Sequence, residues 1–169
     1  HLTYCTNIHP GEEWGRVFTN LQQYVPSLKA QLAPHKPFGI GLRLADVAAR
    51  ELLQEKTLNH FKSWLTEQDL YVFTLNGFPY GGFHRQVVKD QVYAPDWSLK
   101  TRLRYTLRLT SILAELLPDE MEGSISTLPL SYKPWFQENQ PIRANVFYKA
   151  SIYIARVVAK MVRIRTETG

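Results

Sequence analysis

Cysteine is almost missing: Cys5 is the only one in 169 residues. A single thiol excludes an internal disulfide and a cysteine-built zinc site. Set in mid-strand, it is expected to be a small buried hydrophobe rather than a nucleophile. Long apolar runs are missing too, and none approaches the roughly 20 residues that a membrane span requires. No charged-then-apolar segment opens the chain. Together these absences point to a cytoplasmic protein without a transmembrane segment. The first turn after a strand, His9-Pro10-Gly11-Glu12-Glu13, lacks the glycine-rich fingerprint of dinucleotide folds. No serine stands in a nucleophile-elbow context, which argues against serine hydrolysis.

Charge is present in moderate excess. Twenty Lys and Arg face 15 Asp and Glu, for a net charge of +5. The surplus falls mainly on two expected helices: Lys100, Arg102, Arg104 and Arg108 on one, Lys149, Arg156, Lys160, Arg163 and Arg165 on the other. There is no arginine-rich arm, zinc finger or aromatic RNA-binding signature. The surplus therefore reads as solvated helix faces, and nucleic acid is not an expected partner. The chain starts at His1, already inside a strand pattern, and reads as a piece of a longer protein.

Hydrophobic content of 44% and charged content of 21% suit one globular domain over residues 1–169. Residues 2–8 read as a first strand. Trp14, Val17, Phe18, Leu21, Val25, Leu28 and Leu32 then recur at helical spacing, and Pro26 should kink or split that helix near Tyr24-Val25. In a second strand over 38–44, Phe38, Ile40, Leu42 and Leu44 alternate with Gly39, Gly41 and Arg43. Two glycines on one side leave room for neighbouring side chains or a ligand. A helix over 45–53 follows, then another carrying Leu58, Phe61, Trp64 and Leu65, with Thr57 as a candidate cap. The third strand spans 70–76. It runs into a loop reaching Trp97, rich in glycine (Gly77, Gly81, Gly82) and aromatics (Phe78, Tyr80, Phe83, Tyr93). A loop of roughly 20 residues is more often functional than filler, and its aromatics argue against disorder. Ser98 is a candidate cap for a helix that stops at Pro118. A fourth strand over 122–127, a second long loop over 128–143 and a helix from near Ala144 complete the order, leaving 166–169 as a tail.

Strand and helix alternate four times, which predicts a parallel sheet with right-handed crossovers. The long loops follow strands, whereas the returns Glu67-Gln68-Asp69 and Pro118-Asp119-Glu120-Met121 are short. That asymmetry suits a (βα)₈ TIM barrel, whose chemistry sits on the loops at the strand C-terminal ends. Four units in 169 residues scale to about 340 for eight, within the upper range for such barrels. The fold class expected is thus α/β, a parallel (βα)₄ half barrel ending before a fifth strand. Its open edges predict self-association.

Candidate site residues follow from those strand ends. Asn7 and His9 leave the first strand, and His9 could move a proton or bind a metal; the plain alternative is a turn histidine before Pro10. Arg43 could grip a carboxylate or phosphate, or could pair with Asp46, Glu51 or a residue in the other half of the barrel. Asn76, Tyr80 and His84 leave the third strand: Asn76 could orient a hydroxyl, Tyr80 could stack on a ring, and His84 could act as acid or base. A compact loop packing on itself is the alternative. Lys89 and Asp90 read equally as a solvated pair or a ligand contact. Ser126 and Thr127 could donate to a sugar or phosphate, and Trp135 could serve as a lid or a plug.

Several stretches together carry a family resemblance. Thr6-Asn7-Ile8-His9-Pro10-Gly11-Glu12, Gly41-Leu42-Arg43-Leu44, residues 70–84, Val88-Lys89-Asp90 and Gly123-Ser124-Ile125-Ser126-Thr127-Leu128-Pro129 resemble EboE. That family comprises metabolite-traffic proteins within the xylose-isomerase-like barrel superfamily. The resemblance implies a protein that binds a small metabolite or its precursor at the strand ends, without a settled reaction. In related barrels most metal-binding carboxylates and histidines come from later strands, so a divalent metal in a full-length protein is implied only at that level. Two readings result: a metabolite carrier, or a metal-dependent sugar isomerase or epimerase in which His9 and His84 assist proton transfer and this piece alone is inactive.

Overall fold

The structure is a computed structural model, and it describes residues 3–82, 89–136 and 139–168. Two central strands carry it. β2 (Phe38–Arg43) is buried throughout, and β3 (Leu70–Asn76) buries Leu70, Val72 and Leu75. β-Branched and aromatic side chains favour this pleated, packed state. The shorter β1 (Thr3–Cys5) and β4 (Ser124–Ser126) flank them, and the order β1-β2-β3-β4 is parallel at every step. Each crossover is helical: α1 (Trp14–Leu32), then α2 (Asp46–Leu52) with α3 (Glu55–Glu67), then α4 (Lys100–Leu116), with α5 (Gln140–Thr168) last.

The two faces of the sheet differ. Ile40, Leu42, Val72 and Leu75 point into one core with Leu21 and Val25 of α1, Phe61 of α3 and Tyr105, Leu109 and Ile112 of α4. Residues of the opposite parity, Thr3, Cys5, Gly39, Gly41, Tyr71, Thr74, Ser124 and Ser126, form the other face. A register shift between Ile40 and Gly41 leaves Phe73 without a Cα partner on β2, and Phe73 joins this second face. The space over the glycines goes to these neighbours. A Cβ on Gly39 would stand 3.0 Å from Phe73 Cε1 and 3.1 Å from Tyr71 Oη, and one on Gly41 would stand 3.3 Å from Thr74 Cγ2. α5 packs on α4, where Ala150 and Val157 meet Trp97, Leu103 and Leu128 in a second cluster. Sequential strand order with the core helices on one face is a (βα)₄ arrangement. No helix among the described residues is long and apolar enough to cross a membrane.

Several expectations need correction. The first strand ends at Cys5, and Thr6–Ile8 forms a 3₁₀ turn. Cys5 is exposed rather than buried, because its parity in β1 puts it on the face without helices. Pro26 does not split α1. Proline removes only one helical hydrogen bond, and Leu21 and Val25 before it are locked in the core at 1% and 0% exposure. Thr57 is not a cap, since α3 begins at Glu55 after Gln54. Ser98 does not cap α4, because Asp96 Oδ1 accepts both its N–H and its hydroxyl and Leu99 takes the cap position. The fourth strand is limited to Ser124–Ser126. α5 starts at Gln140, after Asn139 Oδ1 accepts the Ile142 N–H, and continues through residues expected to be a tail.

Candidate ligand site at the strand ends

Arg43, Asn76 and Ser126 pair in register across β2, β3 and β4, so their side chains stand in one row at the C-terminal ends of the strands. Asn76 Oδ1 accepts from the Phe78 N–H at 3.0 Å and from the Ser126 hydroxyl at 3.1 Å. One amide oxygen thus begins the third loop and joins two strands. The Arg43 side chain is 2% exposed. Its Nη1 donates to the Gly11 carbonyl and its Nη2 to Glu12 Oε1, both at 3.0 Å. Glu12 Oε2 in turn accepts the Gly82 N–H at 2.9 Å. Gly82 has φ +60, a conformation that glycine adopts without Cβ strain.

Glu12 therefore ties together the first loop, the second strand and the third loop. The carboxylates expected for Arg43 are engaged elsewhere. Asp46 binds Arg50 at 3.1 Å and also Arg108, and Glu51 Oε2 accepts the Trp14 N–H at 2.7 Å. Glu12 reaches Arg43 because it lies in the turn above the end of β2. In the sequence Glu12 stood out only as part of the turn after the first strand.

His9 sits between two tyrosines. Its Nε2 is 2.5 Å from Tyr4 Oη, and its ring stacks on Tyr24 at 4.5 Å and 8°. Burial, then the nearby Tyr24, pushes the Tyr4 phenol above its ordinary value. His9 and Arg43 also line a cavity of about 10 Å³ with Thr6, Pro10, Gly11 and Asn20. That is room for about one water. Asn7 lies in the 3₁₀ turn beside it, and its buried Oδ1 has no hydrogen-bond partner among the described residues.

The other candidates occupy different places. Tyr80 is half-buried inside its own loop, edge-on to Tyr105 at 5.2 Å, and its carbonyl accepts the Asp46 N–H at 2.9 Å. Burial first, and the Asp46 carboxylate second, raise its phenol above the ordinary value. Trp135 is 39% exposed and donates Nε1–H to Asp90 Oδ2 at 2.9 Å. It braces the third loop against the fourth, together with a Tyr93–Tyr132 stack at 4.9 Å. Thr127 accepts the Trp97 Nε1–H at 3.0 Å. His84 and the Lys89 side chain lie outside the described residues.

Arg102 overturns the solvated-helix reading of its charge. It is 0% exposed, facing inward with Tyr105, Thr106 and Leu109 of α4. Its Nε donates to the Pro95 carbonyl at 2.7 Å, and its Nη1 donates to Gly77 O at 2.9 Å and Phe78 O at 3.1 Å. One guanidinium therefore holds the beginning and the end of the long third loop. Its Nη2 has no hydrogen-bond partner among the described residues. Burial pushes Arg102 below its ordinary value, to about 10, opposed by the nearby Tyr105, Tyr80, Asp96 and Asp46. The faces of Tyr105 and Tyr80 lie 5.4 and 5.9 Å away. The signal in the sequence was spacing: Arg102 recurs with Tyr105, Thr106 and Leu109 on the apolar stripe, a position where a solvated charge does not belong.

Tyr105 gives a pH prediction. Its hydroxyl donates to Leu44 O at 2.5 Å and lies 3.3 Å from Pro79 O, and burial raises its pKa well above 10.0. A folded-state pKa above the unfolded value contributes stability that is complete below the unfolded value, near 10, and is lost as pH rises through the folded one. In an alkaline absorbance titration, Tyr105 should stay protonated while exposed tyrosines ionise. Tyr105→Phe should remove this late component and flatten the loss of stability above about pH 10. An unchanged titration curve would refute the assignment.

Nothing resembling this chain is found among protein-family models, curated proteins or solved structures. Among the described residues no group of three His, Cys, Asp or Glu side chains is placed to hold a metal ion.

Proposed function

We propose that this is a small-metabolite binding protein of the EboE metabolite-traffic type, built on a xylose-isomerase-like TIM-barrel framework. In this reading it takes a polar metabolite or precursor at the C-terminal ends of its strands and acts in the cytoplasm. One observation supports the reading above others: polar side chains converge there from β2, β3 and β4, in a row fixed by register. Asn7 adds a buried amide oxygen with no partner among the described residues, a group that a ligand hydroxyl would satisfy. Arg43 and Asn76 act mainly as the frame, since both already hold loop atoms.

The test is calorimetric titration with myo-inositol, D-xylose and a hexose 6-phosphate. Asn7→Ala should weaken binding of whichever probe binds by about tenfold, the worth of one good hydrogen bond. It should leave folding stability nearly unchanged, because no described residue donates to Oδ1. Binding that is insensitive to Asn7→Ala would remove the amide from the site, and no binding by any probe would defeat the polyol reading.

The alternative is a metal-dependent sugar isomerase or epimerase. It draws on the Tyr4–His9 contact beside the Arg43 cavity, a pair able to hold and pass a proton. Turnover of an aldose that requires a divalent ion, and that His9→Gln abolishes, would favour it over the carrier.

A further inference from the structure

We propose that Glu12 sets the charge selectivity of the strand-end site, on the reading of that site as a metabolite site. Its carboxylate occupies the place of a ligand anion and offers its remaining lone pairs to the hydroxyl groups of an uncharged polyol.

The place suits an oxyanion. Arg43 Nη2 donates to Glu12 Oε1 at 3.0 Å and the Gly82 N–H donates to Oε2 at 2.9 Å. A buried guanidinium and a backbone donor from a separate loop thus grip the two oxygens of one carboxyl group, and charge-assisted bonds of this kind are the strong ones. The backbone opposite carries no side chains that would crowd it. A Cβ on Gly81 would stand 3.2 Å from Oε2, and Gly82 holds φ +60, which glycine adopts at no steric cost.

Because the occupant is the chain's own residue, it decides what else binds. The Arg43 side chain is 2% exposed and that of Glu12 is 38% exposed, so a ligand arriving from solvent meets the carboxylate first. Arg43 Nη1 is also engaged, by the Gly11 carbonyl. A phosphate or carboxylate on the ligand is therefore opposed by a like charge and finds Arg43 already taken. A hydroxyl meets the opposite situation. A carboxylate has about four lone-pair sites, and the described residues donate to two of them. The others accept O–H donors, in bonds strengthened by the charge of the acceptor.

Calorimetric titration with D-glucose, myo-inositol and D-glucose 6-phosphate tests the assignment. The parent should bind the better of the two neutral probes at least about tenfold more tightly than the phosphate ester. Glu12→Gln keeps the shape and removes the charge, and it should shrink that preference by at least about tenfold. A merely structural Glu12 would weaken all three probes alike. Glu12→Ala empties the place beside Arg43. Inorganic phosphate, compared with chloride at matched ionic strength, should raise the melting temperature of this variant by at least about 2 °C and leave that of the parent unchanged.

A parent that binds glucose 6-phosphate as tightly as the neutral probes overturns the proposal, and so does a preference that Glu12→Gln leaves unaltered. In both cases metabolite binding stands and only its charge selectivity falls. Phosphate that stabilises the parent as much as Glu12→Ala also overturns it, because Arg43 is then open to anions with Glu12 in place. If none of the three probes binds, the metabolite reading itself fails and takes the polyol assignment with it.

Discussion

Arg102→Met is expected to lower folding stability by about 2–4 kcal/mol and to release the third loop. The magnitude comes from two opposing effects. Losing the guanidinium leaves the carbonyls of Gly77, Phe78 and Pro95 without their donor, and each buried unsatisfied group costs about 1–3 kcal/mol. Against this, the desolvation of a buried cation is relieved. The fall of Arg102 from its ordinary value to about 10 puts that relief on the order of 3 kcal/mol. The carbonyl losses win because there are several of them. They also lie at both ends of the loop, so no single rearrangement repairs them.

Arg102→Lys discriminates charge from geometry. It keeps the cation, but one ammonium cannot reproduce a planar fork that reaches carbonyls from both loop ends. Lysine should therefore recover less than half of the loss. Urea denaturation measures the stability, and limited proteolysis within residues 78–95 should speed up before global unfolding does. A Met variant within about 0.5 kcal/mol of the parent, the usual scatter of surface substitutions, would show that the loop is held elsewhere.

What the sequence disclosed, and what it hid, divides along a physical line. β3 was legible to both of its ends because a β-branched and aromatic run is bounded by Asp69 and Gly77. The βα alternation was legible for the same reason, since periodicity is a local property. Pro26 misled because its local penalty is outweighed by side chains several residues away that hold the helix in the core. Cys5 misled because mid-strand position says nothing about which face lacks helices. At the site, Arg43, Asn76 and Ser126 were legible as strand-end polar residues. Their partners were not: Glu12 reaches Arg43 across 31 positions and Gly82 across 70. Arg102 stands between these cases, with its inward face readable from spacing but its carbonyl partners fixed only by the folded loop.

The second large effect is expected where β3 passes into the third loop beside β4. A Cβ on Gly77 would stand 2.7 Å from Leu109 Cδ1 and 2.8 Å from the Ser126 carbonyl oxygen. The leucine is fully buried and cannot swing outward. The carbonyl cannot retreat without giving up the Gly77 N–H, which it accepts at 3.0 Å. Gly77→Ala must therefore overpack the core, at about 1–3 kcal/mol, or break the bond that continues β3 onto β4, at about 1 kcal/mol. A loss of about 1–3 kcal/mol is expected.

Gly15 is the internal control. It is an exposed glycine in α1 with nothing within 4 Å of an added Cβ, so Gly15→Ala should stabilise by up to about 1 kcal/mol through helix propensity. Opposite signs for one methyl group at two glycines separate close packing from backbone entropy. Two similar small shifts would mean that the β3–β4 junction is loose. Because the Asn76–Ser126 hydrogen bond spans that same junction, Gly77→Ala should also splay the polar row. Ligand affinity should then fall with stability, whereas Gly15→Ala should leave affinity alone.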